Sequence, residues 1–473
     1  MDPTQKQLLF DDARVADKRG FELTLNPASR GDKPALLPEK PWEKASISWP
    51  SVVHNEGSEH QMWYRADPGD GSGSVLCYAT SRDGIEWERP ELGIVAFAGS
   101  KANNIVARRL QGGVFLDPHD APERRYKFIG EGETKWGITS YNCGGARFRY
   151  SEGELLTWNY DAVIGAHSPD GIHWTEYPEP IMPWYTDTQN VAFWDERLRR
   201  YVAYVRWNEH LQVENGKQVG SFDYRAIGRA ETEDFSAFPE PVKVHEPDFN
   251  RIEDEDQSGG GLYGTGAVKY PYAEDTYLIF PSAYHHTSDT LDVHLATGRD
   301  GVAFARWFEP FARLGTAGQF DARGLYIGPG LIAAADEVFL YYGGTPRSHD
   351  DGDQKEPGAI GRLRVRRDGF VSQDAGGDEG RLTTVPFAMP GGRLEINMDA
   401  SSRGWLKVEI LDASGHALWG YARAEADRLM FNGLAQVASW RGAADLSALA
   451  GRQVRLRFIG QFVKLYGFQF TGT

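Results

Sequence analysis

The chain has little cysteine and no cluster of basic residues. Cys77 and Cys143 are its two cysteines among 473 residues, which excludes a disulfide framework and a cysteine-rich metal site. Lysine and arginine number 51 against 67 aspartate and glutamate residues, which gives a formal net charge of −16. We therefore expect neither nucleic acid nor an anionic membrane surface as a partner.

Long apolar segments are also missing. The first seven residues contain no apolar run of signal-peptide length, and no stretch is long enough to span a membrane. The sequence as it stands predicts a cytoplasmic protein. A periplasmic or secreted location would follow if a leader had been removed.

A hairpin pattern is present five times along the chain. Each copy has a short apolar strand, a turn, and a second strand of alternating β-branched and aromatic residues, as in the copy from Asp187 to Arg206. The first strands begin at Ser48, Gly112, Thr188, Gly264 and Ile327, which are 64, 76, 76 and 63 residues apart. This period, with no amphipathic helix, predicts a five-bladed β-propeller rather than two stacked β-sandwiches.

Glycines at the starts of these first strands support the propeller. First strands crowd the central axis of a propeller, where a missing side chain allows close approach of the backbones. The glycines concerned are Gly112, Gly113, Gly264, Gly266, Gly328 and Gly330.

The two ends of the chain have different patterns. Residues 8–12 predict a short strand that pairs with the last blade and closes the ring. Residues 381–473 alternate with period two, which predicts a small antiparallel β-sandwich with a scaffold or accessory role. We therefore divide the chain into a propeller at 1–373, taken as the catalytic domain, and a β-sandwich at 381–473.

Polar residues collect where first strands start and second strands end, which is one face of a propeller. The catalytic candidates are Asp187, Glu131 and Asp321. Paired carboxylates across a cavity suit glycosidic cleavage, while arginine and aromatic side chains suit sugar recognition. The predicted substrate-binding residues are Trp49, Arg65, Gln189, Asn190, Arg206, Tyr284, His285, His286, Arg323 and Tyr326.

Each carboxylate also has a structural alternative. Asp187 can cap a strand, Glu131 can pair with Arg65 or Arg206, and Asp321 can stabilise a turn. His285 and His286 are adjacent, so their side chains point to opposite faces of a strand, which argues against a metal site formed by the two. No cofactor is predicted, and a structural metal ion in the propeller channel is left open.

Two turn motifs carry a resemblance to a known group. Ser81–Trp87 and Ser168–Trp174 read Ser-x-Asp-Gly-x-x-Trp and resemble the blade-ending Ser-x-Asp-Leu-x-x-Trp of five-bladed propeller glycoside hydrolases, a group that includes families 32, 43, 117 and 130. The C-terminal region is similar to the accessory domain of family 32. The resemblance implies the fold but not the catalytic residues, because the first blade opens Ser48-Trp49-Pro50 where family 43 has its aspartate base.

These observations lead to a functional hypothesis. We expect an exo-acting glycoside hydrolase that cleaves a terminal sugar from a small oligosaccharide or glycoside and uses a carboxylate acid/base pair. Carboxylates on different blades face each other across the funnel, so we expect the wide spacing that is typical of inversion. The alternatives are a non-catalytic carbohydrate-binding propeller and a polysaccharide lyase that uses a tyrosine or histidine base while Arg65 or Arg206 neutralises a uronate. Homo-oligomerisation is left open.

Overall fold

The computed structural model describes two compact units, each built from β-strands. The described residues are 2–55, 57–108, 110–134, 142–143, 146–147, 160–182, 184, 186–209, 213–214, 217–218, 224–248, 261–349, 351 and 356–472. One unit comprises Ala28–Lys269 and Tyr277–Arg364. The other comprises Met1–Pro27, Tyr270–Thr276 and Val365–Thr473. Among the described residues, no helix is both long and apolar enough to cross a membrane.

The first unit is a five-bladed β-propeller, as the repeat predicted. Blade one contains Ser46–Val53, His60–Asp67, Val75–Ser81 and Ile105–Arg108. Blade two contains Gln111–Leu116, Tyr126–Thr134, Tyr160–Ser168 and Thr175–Glu176. Blade three contains Val191–Asp195, Arg200–Asn208, Arg225–Thr232 and Val242–His245.

Blades four and five complete the ring. Blade four contains Gly261–Lys269, Tyr277–His285, Thr290–Gly298 and Ala305–Ala312. Blade five has a first strand in two pieces, and its strands are Gly324–Ile327 with Ile332–Ala334, Glu337–Thr345, Ala359–Arg366 and Ser29–Arg30. Within each blade, neighbouring strands are antiparallel.

The prediction that the strand near Leu8 closes the ring is wrong. Gln7–Leu8 pairs instead with Phe468 and Gly467 in the second unit, where the fully buried Leu9 joins the apolar core. The fourth strand of blade five is Ser29–Arg30, which pairs with Leu363 and Arg364. An apolar run is more stable in a core than on the outer edge of a blade, which explains the exchange.

The Asp-Gly turns connect neighbouring blades. The carbonyl oxygen of Gly171 in blade two accepts a hydrogen bond from Trp63 of blade one, at 2.6 Å. In the same way, Gly84 of blade one accepts from Tyr341 of blade five, at 2.5 Å. Because Gly84 and Gly171 have φ of +70° and +75°, the turns favour glycine. Each turn therefore presents its carbonyl to an aromatic side chain on the second strand of the preceding blade.

The first strands pack closely at the central axis, as their glycines predicted. A Cβ on Gly113 would lie 2.5 Å from the carbonyl oxygen of Asn190, and one on Gly328 would lie 1.7 Å from that of Pro50. These distances leave no space for any side chain, so glycine at both positions is a requirement of packing.

The second unit is an antiparallel β-sandwich, again as predicted. Its two longest strands, Arg393–Asp412 and Gln453–Thr471, pair along almost their whole length, with irregularities near Met398 and between Ala400 and Trp405. Period-two segments that the sequence shows as separate are therefore parts of the same bent strands. The remaining strands are Gln7–Leu8, Val15–Arg19, Phe21–Leu25, Val371–Ala375, Gly380–Thr384, Phe387–Ala388 and Asn432–Val437.

Short elements complete the described structure. The 3-10 helices are Pro41–Glu43, Pro122–Arg124 and Ser447–Leu449. The short hairpins are Asn142–Cys143 with Ala146–Arg147, and Val213–Glu214 with Lys217–Gln218.

Candidate functional site

The register of the strands brings most of the predicted site residues to one end of the propeller. We call it the upper end, and it is the end at which first strands begin and second strands finish. Across the innermost strand pairs, Ser48 lies opposite Arg65 and Gln111 lies opposite Glu131. Tyr326 lies opposite Gly343 in blade five. Directly opposed residues share a face of the sheet, so Glu131 and Gln111 project to the same side.

Asp187 and Arg206 form an ion pair at the upper end of blade three. Arg206 donates from Nη1 to Oδ1 of Asp187. The arginine side chain is only 6% exposed, whereas the aspartate side chain is 37% exposed. Arg206 lies near the end of the second strand, Arg200–Asn208, and Asp187 precedes the first strand, Val191–Asp195, so the hairpin itself brings the two residues together. The buried guanidinium thus orients a carboxylate that solvent and ligand can reach.

Tyr263 connects this pair to a second arginine. The guanidinium of Arg206 lies 5.1 Å from the centre of the Tyr263 ring, and that of Arg225 lies 4.2 Å from it. Arg225 also donates a hydrogen bond to the Tyr263 hydroxyl. Tyr263 itself is buried in the first strand of blade four. Two cations therefore contact one aromatic ring, an arrangement favoured by the ring quadrupole.

Four rings next to this pair form what we call the tyrosine cluster, namely Tyr263, Tyr284, Tyr326 and His349. The ring centres of Tyr263 and Tyr284 are 5.3 Å apart, and His349 lies 4.7 Å from Tyr263 and 5.2 Å from Tyr284. The Tyr326 hydroxyl is 3.1 Å from Nδ1 of His349. Burial raises the pKa of Tyr326, and the charges of Arg206 and Arg225 only partly oppose that effect. Tyr326 is therefore a proton-bearing group at neutral pH.

Arg65 organises the upper end of blades one and two. Its Nε donates to Oε1 of Gln111 at 2.5 Å, and its guanidinium lies 5.6 Å from the centre of the Trp49 ring. Burial lowers the pKa of Arg65, while the negative charges of Asp67 and Glu131 act in the opposite direction. Glu131 is half-buried and close enough to act on Arg65 electrostatically. This region therefore combines a carboxylate, a guanidinium and an indole ring.

Trp49 has an unusual backbone conformation. Its φ is +53°, in the left-handed region that costs a non-glycine residue of this size about 1–3 kcal/mol. The register of blade one shifts between Ser48 and Ser51, so the residue lies on a bulge. Such strain persists where the surrounding structure enforces it and is concentrated at binding and catalytic sites. The bulge directs a half-buried indole beside Arg65.

Gln189 and Asn190 have internal partners. Nε2 of Gln189 donates to the carbonyl oxygens of Trp49 and Pro50, at 3.0 and 3.1 Å, and lies 3.1 Å from Oγ of Ser51. Asn190 is fully buried and accepts from Oγ1 of Thr186 at 3.1 Å. Both side chains therefore stabilise the centre of the propeller. These internal contacts do not support the predicted contact of either side chain with substrate.

His285 belongs to a hydrogen-bonded group with Asp292 and His294. Nε2 of His285 lies 3.0 Å from Oδ1 of Asp292, and Nε2 of His294 lies 3.4 Å from the same oxygen. Three ligand atoms within 4.8 Å of one another could hold a metal ion. However, Nε of Arg306 donates to Nδ1 of His294 at 3.1 Å, so a neutral His294 carries its proton on Nε2, the atom that would face the metal.

Asp292 is accordingly held as a hydrogen-bond acceptor. Burial acts to raise the pKa of Asp292, but the hydrogen bonds from His285 and His294 outweigh it and keep the pKa well below its usual range. His286 contacts a different group, since its ring centre lies 4.5 Å from that of Tyr284. The two adjacent histidines therefore serve different faces of the strand, as their alternation predicted.

Asp321 and Arg323 lie apart from these contacts. The Asp321 carboxylate is buried, accepts from the Tyr342 hydroxyl at 2.7 Å and lies 3.3 Å from Arg30. Arg323 is exposed, and its Nη1 lies 3.5 Å from the carbonyl oxygen of Ser288. Asp321, on the loop before blade five, therefore contacts the second strand of that blade through Tyr342 and the fourth strand through Arg30. These are the contacts of a structural residue.

Sequence analysis missed three residues of the site, Tyr263, Arg225 and His349. Tyr263 lies in the first strand of blade four, which begins at Gly261 rather than at the predicted Gly264. Arg225 begins a third strand, and third strands start at the upper end because second strands finish there. This last signal, an arginine at the start of a third strand, was available in the sequence.

Comparisons with known proteins give structural similarity alone. No protein-family model matches the chain, and no curated protein matches it. Solved structures are similar. One belongs to glycoside hydrolase family 130, described as containing glycoside hydrolases that target β-1,2 mannosidic linkages in Candida mannan, at 16% identity over 76% of this chain and 97% of that chain, with a TM-score of 0.45.

Two further structures illustrate the range. A glycosyl hydrolase from Bacteroides ovatus is 14% identical over 72% of this chain and 94% of that chain, with a TM-score of 0.46. An N-acetylgalactosamine deacetylase from F. plautii, in complex with blood group B trisaccharide, is 15% identical over 73% of this chain and 95% of that chain, with a TM-score of 0.43. Similarity of this degree transfers no activity to the chain.

Proposed function

We propose that the propeller unit is a carbohydrate-active enzyme, an exo-acting glycoside hydrolase that removes a terminal sugar from a small oligosaccharide or glycoside at the upper end. The observation that carries this proposal is the Asp187–Arg206 pair. It presents a carboxylate that is 37% exposed on a guanidinium that is 6% exposed. Glycosidases use a pair of carboxylates, and an accessible carboxylate with a fixed orientation can supply one of them.

A second carboxylate completes the proposed pair. Glu131 projects beside Gln111 at the upper end of blade two, next to the blade that carries Asp187. In this mechanism Asp187, oriented by Arg206, accepts a proton from the attacking water. Glu131 donates a proton to the departing glycosidic oxygen, and the sugar ring passes through an oxocarbenium-like transition state. Trp49, which is half-buried, supplies an aromatic surface on which a sugar can stack.

Asp321 is not part of the proposed pair. Its carboxylate is 1% exposed and bound to Tyr342 and Arg30, so no substrate atom can approach it in this conformation. A lyase would need a side chain that removes a proton from carbon. Because burial raises the pKa of Tyr326, this tyrosine is a poor base at neutral pH, so a lyase would need a histidine as its base. The exposed and oriented carboxylate of Asp187 favours the hydrolase.

The test is release of a monosaccharide from a panel of aryl glycosides and oligosaccharides. We expect Asp187→Asn and Glu131→Gln each to lower kcat/KM by about 10²–10⁴-fold, the usual contribution of a general acid or base. Asp336→Asn is the matched control, because Asp336 is an exposed carboxylate in the turn between the first and second strands of blade five, at the opposite end of the propeller. The proposal is overturned if the wild-type protein hydrolyses none of the glycosides, or if both variants retain wild-type activity. Sugars that bind to the wild-type protein without turnover would indicate the non-catalytic alternative.

The configuration of the product is a second readout of the same assay. Asp187 and Glu131 belong to different blades, so we expect the wide spacing of inverting enzymes, which hold their two carboxyl groups roughly 6.5–9.5 Å apart. We therefore expect early-time NMR to show the product anomer opposite to that of the substrate. Product of retained configuration would refute the roles given to Asp187 and Glu131 while leaving hydrolysis itself in place.

A further inference from the structure

We infer that the lower end of the propeller binds a neutral saccharide, in a cavity between blades one and two. The lower end is opposite to Asp187 and Glu131, where first strands finish and second strands begin. The cavity has a volume of about 520 Å³, within the usual range of about 300–1,000 Å³ for small-molecule sites. We call it the lower cavity, and its lining includes Asn55, Glu59, Gln61, Tyr78, Arg125 and Asp170.

The lower cavity is separate from the proposed catalytic pair. Tyr126, which also lines the cavity, and Glu131 are five residues apart on one extended strand, Tyr126–Thr134. A β-strand rises about 3.3 Å per residue, so roughly 17 Å separates the two backbone positions. A single sugar ring in the lower cavity is therefore out of reach of Glu131, and its binding would be a second function of the propeller.

Hydrogen bonds fix the orientation of the two side-chain amides at this cavity. Nδ2 of Asn55 donates to the carbonyl oxygen of Glu59 at 3.0 Å and to Oε1 of Gln61 at 3.1 Å. Oε1 of Gln61 also accepts from the Tyr126 hydroxyl, at 2.8 Å. Because a backbone oxygen can only accept, the Asn55 amide cannot be reversed, and the orientation of Gln61 follows from it. Nε2 of Gln61 is then the atom that donates to the Tyr78 hydroxyl, at 2.8 Å.

This arrangement leaves the hydroxyl proton of Tyr78 without an acceptor among the described residues. Tyr78 is only 5% exposed, and burial raises its pKa to about 12, so the proton is present at neutral pH. The negative charges of Glu59 and Asp170 also act on this hydroxyl, which therefore lies near the two carboxylates of the cavity lining. A ligand oxygen in the cavity would supply the missing acceptor.

Both donors and acceptors are present around the rest of the cavity. Nε of Arg125 donates to the carbonyl oxygen of Pro169 at 3.0 Å, and its Nη1 and Nη2 have no hydrogen-bond partner among the described residues. The guanidinium lies 5.3 Å from the centre of the Tyr126 ring, a contact that orients it. Oδ1 of Asn55 and the carboxylate of Glu59 are acceptors. Each sugar hydroxyl both donates and accepts, so a lining with both kinds of group suits a polyhydroxylated ligand.

The charges of the lining favour a neutral ligand. The carboxylates of Glu59 and Asp170 outnumber the single guanidinium of Arg125, so a phosphate or a sulfate would meet net negative charge. Burial acts to raise the pKa of Asp170, but hydrogen bonds from His173 and other groups of its own turn outweigh it and lower the pKa to about 2. These donors already occupy the Asp170 oxygens, which argues against a divalent cation at that carboxylate.

The experiment is hydrogen–deuterium exchange of the full chain, followed by mass spectrometry over a concentration series of each sugar. The probes are D-glucose, D-galactose, D-mannose and N-acetyl-D-galactosamine, with D-glucuronate as the anionic comparison. We expect at least one neutral sugar to slow exchange in residues 57–61 and 116–126. The inference is overturned if no sugar of the panel protects these segments, because the cavity then holds water alone. Tighter binding of D-glucuronate than of every neutral sugar also overturns it.

Variants of two lining residues test the site. The concentration dependence of the protection gives the affinity, which Arg125→Met should lower about tenfold because hydrogen bonds from a charged donor are lost. Tyr78→Phe should lower it about fivefold, the effect of one neutral hydrogen bond. Arg124→Met is the matched control, since the neighbouring Arg124 is 51% exposed and pairs with Asp120. If Tyr78→Phe does not fold, the exposed Arg125 still decides the question, and unchanged affinity in Arg125→Met refutes the site.

The outcomes separate this inference from the proposed function. Asp187→Asn should leave the protection of residues 57–61 unchanged, and Arg125→Met should hydrolyse small aryl glycosides at the wild-type rate. Protection of the lower cavity in a wild-type protein that hydrolyses no glycoside would support the second site and refute the hydrolase. Hydrolysis without any protection of these segments would give the reverse result.

Discussion

Gln189 of blade three donates a hydrogen bond from Nε2 to the carbonyl oxygen of Trp49 in blade one, over 3.0 Å. The same nitrogen lies 3.1 Å from the carbonyl oxygen of Pro50. The backbone carbonyl of Gln189 accepts from Oγ1 of Thr265 in blade four, at 2.8 Å. The buried Gln189 therefore links blade three to the first strands of blades one and four, and its side chain is hydrogen-bonded to the carbonyl oxygen of the strained Trp49.

Replacement of Gln189 should destabilise the propeller. Gln189→Ala leaves buried carbonyl oxygens without their donor, so we expect a loss of about 1–3 kcal/mol in the free energy of unfolding. Gln189→Glu should cost more, because a carboxylate would face oxygen acceptors in a site with little water. Urea unfolding followed by tryptophan fluorescence measures both effects. Gln319→Ala, on an exposed loop residue, should change stability by less than about 0.5 kcal/mol, and equal stability of Gln189→Ala and Gln319→Ala would contradict this structural role.

At position 49, the usual order of stability of alanine and glycine variants should be inverted. The φ of Trp49, +53°, suits glycine, so Trp49→Gly should be more stable than Trp49→Ala by about 1 kcal/mol. At an ordinary strand position the order is the opposite, because glycine loses more conformational entropy on folding. Trp194 is the matched control, a half-buried tryptophan in the first strand of blade three without a positive φ. Thermal unfolding of the four variants gives the comparison.

The same pair of variants reports on function. Both remove the indole beside Arg65, so both should bind sugar more weakly, and by similar factors, although their stabilities differ. An aromatic platform contributes roughly 0.5–1.5 kcal/mol beyond area burial, so we expect a loss of affinity of about tenfold. Wild-type affinity in Trp49→Gly would show that the bulge serves the backbone alone.

The propeller could be predicted from the sequence because each repeat has a recognisable local sequence pattern. Turn dipeptides, alternation and axial glycines located every first strand to within three residues, for example Ser48 against an observed start at Ser46 and Gly264 against Gly261. Three residues are nevertheless enough to hide a side chain, and Tyr263 was missed for this reason. His349 was missed because it lies in a polar loop without periodicity, whose path depends on contacts with Tyr263, Tyr284 and Tyr326.

The role of Asp321 could not be read from the sequence for a related reason. Its partners Arg30 and Tyr342 are far from it along the chain or on another strand, and burial depends on the packing of all three. A carboxylate on a loop at the upper end looks the same in the sequence whether it faces the site or the interior. The wrong prediction that the strand near Leu8 closes the ring has the same origin. Contacts with residues far away in the sequence decide that Ser29–Arg30, and not the strand at Leu8, covers the edge of blade five.

Asp321 should therefore affect stability rather than chemistry. Asp321→Asn leaves Arg30 and the Tyr342 hydroxyl without their carboxylate, so we expect the free energy of unfolding to fall by about 1–3 kcal/mol. The activity per folded molecule should stay at the wild-type value. Asp336→Asn, in an exposed turn of the same blade, is the matched control. If Asp321→Asn has wild-type stability but a strongly reduced kcat, Asp321 is a catalytic residue after all.

His245 should make the propeller less stable in mild acid. Burial, assisted by the nearby Arg306, lowers the pKa of His245 to about 4 in the folded protein, from 6.5. The folded state therefore binds fewer protons than the unfolded state between these two pH values. The contribution of His245 is complete above about pH 6.5 and decreases as the pH falls towards 4, by up to about 3 kcal/mol in total. Phe304 packs against the ring, and Nε2 has no hydrogen-bond partner among the described residues.

The measurement is the pH dependence of unfolding in wild type and in His245→Gln, which cannot gain this proton. Carboxylates titrate in both proteins, so the difference between the two curves isolates the histidine. We expect the wild type to lose more stability than the variant between pH 6.5 and 4.5, with parallel curves above pH 7. His416→Gln is the control, because the His416 side chain is 82% exposed and its replacement should leave the wild-type curve in place. Parallel curves for wild type and His245→Gln throughout this range would show that His245 is protonated as easily in the folded protein as in the unfolded one.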